Sequence, residues 1–232
     1  MKREQIAPDD ARVSHSREGH KSLVPPDSEL AGLLENIRGC TICSAHLPLG
    51  PKPLLQVGTE AKILIVGQAP GRRAHETGTP FNDPSGERLR SWMGITPLEF
   101  YDPTLVAIVP MGFCFPGTGT SGDLPPRPEC APTWHDAVLG TFTKIQLTMV
   151  VGQYSLKRYA PEPAGRPSVS GYVSNWAQTW PGLIPLPHPS WRNNGWIGQN
   201  PWFQTDLVPR LQARVQQVLS AYDAASVQER PA

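Results

Sequence analysis

Residues Lys62-Ile63-Leu64-Ile65-Val66 form an uninterrupted β-branched and aliphatic run, the pattern of a strand buried on both faces within a parallel sheet. Leu105-Val106-Ala107-Ile108-Val109, Ile145-Gln146-Leu147-Thr148-Met149-Val150-Val151 and the shorter Leu183-Ile184-Pro185-Leu186 repeat that pattern. Helical spacing separates them. Leu30, Leu33, Leu34 and Ile37 recur behind Ser28 as a candidate cap and stop at Gly39. A helix around Glu87–Met93 follows Asp83 or Ser85 as its cap and ends at Gly94. Residues 131–141 read as helix, a short helix from Ser155 to Tyr159 stops at Pro161, and Leu207, Leu211, Val215, Val218 and Leu219 mark a last helix over about 202–222. Strands alternating with helices predict an α/β protein, a three-layer α/β/α sandwich with a central, mostly parallel sheet of about four strands. Residues 1–28 are polar without an apolar period and are expected to be a mobile tail. A single domain is expected over 29–222, with a C-terminal tail over 223–232.

Composition narrows this picture only slightly. The chain has 232 residues and a net charge of +1, enough length for one full core and no global basic field. A local basic patch remains compatible with nucleic acid. No apolar run approaches the ~18 residues of a membrane span, and the N-terminus lacks the apolar core of a signal peptide. The expectation is a cytoplasmic, monomeric protein without a membrane partner. The 27 prolines, many of them within 110–132 and 161–189, predict long ordered loops there.

The first strand ends abruptly in Gly67-Gln68-Ala69-Pro70-Gly71, a forced turn. Ligands of open α/β sheets bind beyond the carboxyl ends of the strands, so a site belongs here. The turn is neither G-x-G-x-x-G nor a Walker A loop, and alone it reads equally as a turn without chemistry. The last strand delivers His188-Pro189-Ser190, then Trp191-Arg192-Asn193-Asn194. Together, in this order and spacing, GQAPG and HPS resemble the two active-site motifs of the uracil-DNA glycosylase superfamily. The resemblance runs from near Leu33 to near Leu219.

The four cysteines, Cys40, Cys43, Cys114 and Cys130, form C-x2-C and, after a long gap, C-x15-C. In a cytosolic protein this spacing favours metal or redox chemistry over disulfides. Four thiolates suit zinc and a [4Fe–4S] cluster alike, and buried free thiols are a third reading. Spacing does not separate these. The resemblance does, because the superfamily's iron–sulfur branch carries a similar quartet. It therefore implies a structural [4Fe–4S] cluster on these cysteines and places the chain as a divergent member of that branch.

The resemblance also implies roles at the site. A base must be extruded from DNA into a pocket and read there. His188 would hydrogen-bond a carbonyl oxygen of the departing base as negative charge grows, a contribution of about 3 kcal/mol. Gln68 would offer its backbone N–H and position water, with Gly67 and Ala69 beside it. Phe81 would stack on the flipped base. Pro110, followed by Met111, stands where relatives carry an asparagine that reads the uracil edge, and it has neither a polar side chain nor an N–H. That loss predicts a specificity widened beyond uracil to xanthine, hypoxanthine or other damaged bases. Pro70, Gly71, Arg72, Ser190, Trp191 and Arg192 would contact DNA, with Trp191 or Arg192 filling the space of the extruded base. Ala69 replaces the aspartate of the most active relatives, so water activation is unassigned; His75, Glu76 and Asp83 lie nearby in sequence. The Lys-Arg-rich insertion of relatives that bond covalently to uracil-DNA is missing, so no covalent trapping is expected. The sequence thus reads as a slow monofunctional DNA glycosylase for uracil and other deaminated bases, nucleoid-associated when acting. Its rivals are a non-catalytic protein binding damaged or abasic DNA, and a nucleoside hydrolase.

Overall fold

The computed structural model describes residues 26–164 and 167–228. The tail expected over 1–28 lies outside them up to residue 25, and so does 229–232 of the C-terminal tail. In chain order the elements are α1 (Pro26–Arg38), β1 (Ile63–Val66), α2 (Arg72–Thr77), α3 (Pro84–Met93) and α4 (Pro97–Tyr101). Then come β2 (Val106–Ile108), the two-residue strands β3 (Thr118–Gly119) and β4 (Gly122–Asp123), α5 (Cys130–Gly140), β5 (Leu147–Val151) and α6 (Gln153–Tyr159). The chain closes with α7 (Val169–Ser174), β6 (Leu183–Leu186), α8 (Asn194–Gln199) and α9 (Val208–Gln228).

Four strands form one parallel sheet in the order β2-β1-β5-β6. β1 is paired on both sides, Ile63 facing Val106 and Leu147 in register, and all four of its residues are buried. Alternation along the strand sorts the core into two layers. Ile63 and Ile65 pack with Leu89, Trp92 and Met93 of α3 and with Leu211, Val215 and Val218 of α9. Leu64 and Val66 face the other way, onto Ile37 of α1 and Val138 of α5. The expected three-layer α/β/α sandwich is therefore the fold observed. Because the strands run parallel, the turns after β1 and β6 emerge at the same edge, on either side of the end of β5.

Some elements depart from expectation. Ser28 lies inside α1, which starts at Pro26. The polar stretch Arg72–Thr77 is a helix burying only Ala74. The loop expected within 110–132 contains an antiparallel hairpin, Thr118 facing Asp123 and Gly119 facing Gly122. The last helix is preceded by a π-helical turn, Phe203–Leu207.

The expected metal centre requires correction. Among the described residues, no group of three or more His, Cys, Asp or Glu side chains is arranged to hold a metal ion. Neither the [4Fe–4S] cluster nor zinc on Cys40, Cys43, Cys114 and Cys130 is supported. All four are free cysteines, lining a small hollow with Phe113, Arg127 and Trp134. Spacing reports proximity along the chain, whereas a ligand set needs several donors within ~2.3 Å of one point. Burial pushes the Cys114 thiol up to about 11 and the Cys130 thiol up to about 12. The Cys130 Sγ accepts a hydrogen bond from the Phe113 N–H at 3.3 Å. Cys43 and Cys114 pack with Leu47 in a small buried cluster.

Candidate active site

The turns after β1 and β6 border a cavity of about 390 Å³, within the ~300–1,000 Å³ typical of small-molecule sites. Gly67, Gln68, Ala69, Pro70 and Gly71 line one side, His188, Ser190, Trp191 and Arg192 another, and Phe81 and Pro110 contribute to the wall. Met111 does not line the cavity; it packs on the α1/α5 side of the sheet. Arg72 does not line it either; its guanidinium is 5.6 Å from the centre of the Phe115 ring.

His188 has a defined tautomer. Its Nδ1 accepts the Ser190 backbone N–H at 3.2 Å, so the proton of the neutral ring resides on Nε2. Protonating Nδ1 would set two N–H groups against each other. Burial lowers the pKa of His188, Asp83 opposes that shift and Arg192 adds to it. The turn itself is tied down. Asn193 Nδ2 donates to the His188 carbonyl at 2.6 Å, and Arg88 Nη1 from α3 donates to the Ser190 carbonyl at 3.1 Å and to Asn194 Oδ1 at 2.8 Å.

The opposite turn is fixed through its carbonyls, which accept from the Met111 N–H at 3.0 Å (Gly67) and the Gly112 N–H at 2.9 Å (Gln68). The Gln68 side chain lies over Gly152, where φ is +89°; a Cβ there would stand 2.8 Å from Gln68 Cδ. Glycine at the end of β5 thus leaves room for that amide between the two turns.

Phe81 is the one non-glycine residue with positive φ among those described, at 53°. An aromatic held there costs about 1–3 kcal/mol, a strain found often at functional sites. Its carbonyl accepts from Tyr101 Oη at 3.2 Å and Arg90 Nη1 at 3.3 Å. It also passes so close to Gly86 that a Cβ there would lie 1.7 Å from the Phe81 oxygen. The ring reaches over Gly67, where a Cβ would be 3.3 Å away. Asp83 is engaged as the cap of α3, its Oδ1 accepting the Gly86 N–H at 2.8 Å.

Pro110 has no free polar group to offer. Its carbonyl accepts from buried His135 Nε2 at 2.9 Å, and His135 Nδ1 in turn accepts from Tyr159 Oη at 2.6 Å. His75 and Glu76, near the turn in sequence, do not line the cavity. Two charged residues that sequence reasoning passed over do: Arg88 and Asp123. Arg88 carried no signal beyond helix charge, and Asp123 sits in a hairpin that no hydrophobic pattern announces.

Among the described residues no helix is long and apolar enough to cross a membrane. The family model for the uracil DNA glycosylase superfamily matches residues 55–212, a span holding both turns, Phe81, Asp123 and the whole parallel sheet. The family match carries no iron–sulfur assignment, and the placement in that branch falls with its cluster. By this match over well more than half its length, the chain belongs to the uracil DNA glycosylase superfamily.

Proposed function

We propose that this protein is a monofunctional DNA glycosylase that flips uracil out of DNA and hydrolyses its N-glycosidic bond, with xanthine and hypoxanthine as further substrates. The observation that carries the reading is the His188 tautomer: Nδ1 accepts from the Ser190 N–H, leaving Nε2–H as a donor at the cavity. In the reaction the C1′–N bond breaks with its electron pair passing to the base, and a water oxygen bonds to C1′. Negative charge then grows on a carbonyl oxygen of the base, where a fixed neutral donor is worth about 3 kcal/mol. Phe81 supplies a stacking face that tolerates several ring types. Pro110 supports the wider range, since its carbonyl is already bonded to His135 and it offers no edge-reading group.

The rival reading, a protein that binds damaged DNA without cutting it, is favoured by Ala69 and by the Gln68 amide lying over Gly152. Alkali cleavage of oligonucleotides carrying uracil, xanthine, hypoxanthine or a thymine–guanine mismatch separates the two. Excision of uracil that drops at least tenfold in His188→Ala supports the glycosylase. Tight binding to uracil DNA with no base released by the wild type overturns it.

A further inference from the structure

Hydrolysis needs an acceptor for a water proton, and the turn after β1 offers none, with Ala69 carrying a methyl group and Gln68 an amide. The cavity contains two carboxylates, Asp83 and Asp123. Asp83 is committed to capping α3. Asp123 arrives from outside the sheet on β4, and its Oδ2 rests against Gly71, where a Cβ would be 3.3 Å away. Its bond from Thr118 Oγ1 is long, at 3.5 Å. The hairpin is braced by Arg192, whose guanidinium lies against Gly122 (φ +127°), 2.8 Å from where a Cβ would stand. A carboxylate beside a phosphodiester ligand is repulsive. Its presence is useful only where positive charge or a proton appears, and both appear at C1′ and its attacking water.

We infer that Asp123 is the general base of this site, accepting the water proton and facing the cationic sugar. This rests on the glycosylase reading. The water oxygen bonds to C1′, one water proton passes to the Asp123 carboxylate and then to solvent, and the released base takes a proton from solvent. The charged groups facing Asp123 are Arg192 after β6, Arg72 on α2 and Asp83 before α3, with the neutral Thr118 on β3. Burial raises its carboxyl above the ordinary value of 3.8, Asp83 adds to that, and Thr118, Arg192 and Arg72 oppose it. The base acts as carboxylate, so the rate falls as pH drops through that raised value.

The test is single-turnover excision of uracil from a single-stranded oligonucleotide by the full chain between pH 4 and 8. Wild type is compared with Asp123→Asn, Asp123→Glu and His188→Ala, and binding is read by fluorescence anisotropy. Asp123→Asn is expected to slow excision about 100-fold, the low end for a lost general base, and to remove this acid limb. It should bind DNA at least as tightly as wild type, while Asp123→Glu recovers part of the rate. Should wild type excise uracil and Asp123→Asn match it within twofold with the same acid limb, the role of Asp123 is overturned and the glycosylase reading stands. Should wild type excise nothing, both fall together.

Discussion

At the scale of single residues, His188 shows how a backbone contact selects a protonation state. A histidine whose pKa is lowered by folding stays neutral to more acid pH than a free one. The acid limb of excision due to His188 is therefore expected below the ordinary value of 6.5. His188→Ala should cost about 100- to 1,000-fold in rate, the penalty for losing one donor aimed at developing charge. Buried His135 shares the sign, its pKa lowered by burial. Between the folded and unfolded values the unfolded chain holds more protons. Stability is thus full above about 6.5 and declines as pH falls toward the lowered folded values. A thermal-melt series from pH 8 to 5 should show that decline, and it should be shallower in His135→Gln, which keeps a donor but cannot titrate. A decline of equal depth in the variant would put its source elsewhere.

At the scale of elements, the strands were legible because each is a short apolar run buried on both faces, and a parallel sheet leaves no solvent face to blur the pattern. The site's frame followed from them: Gly67–Gly71 and His188–Ser190 end parallel strands and must share one edge. The hairpin was hidden because Thr118–Gly119 and Gly122–Asp123 are polar, two residues long and set among glycines and prolines. α2 was hidden because only Ala74 of its six residues is buried, so it has no apolar period. The cysteines misled for a different reason, since chain spacing cannot report whether four sulfurs meet at a point. α3 has a part in the site that its sequence does not advertise: Arg88 holds the His188 turn, and Gly86 lets the Phe81 carbonyl pass. Arg88→Ala should lower the excision rate about tenfold, the effect of ~1.4 kcal/mol of lost positioning, with little change in melting temperature. Gly86→Ala should destabilise the fold by about 3 kcal/mol, read from its urea midpoint, because the overlap falls on rigid backbone.

At the scale of the molecule, a net charge of +1 means that DNA is not drawn in by the protein's overall field. Attraction must come from the arginines around the cavity. Arg88 is spent on the Ser190 carbonyl and Asn194. Arg192 lies over the Trp191 ring, 5.0 Å from its centre, and that tryptophan is 69% exposed at the rim. On the glycosylase reading, phosphate contacts fall to Arg192 at the cavity and to the exposed Arg72 and Arg73 on the neighbouring α2. Three such contacts on a single strand give a slope of log affinity against log salt near −2, at roughly −0.7 for each phosphate. Arg192→Ala should flatten that slope by about 0.7 and weaken uracil and thymine strands equally, because a phosphate contact carries no base identity. Phe81→Ala should do the reverse, leaving the slope and costing about 1–3 kcal/mol of stacking on the extruded base. Anisotropy titrations at four salt concentrations distinguish them. If the slope stays put in Arg192→Ala while excision falls, the guanidinium serves by bracing the hairpin at Gly122, and its contribution reaches DNA only through Asp123.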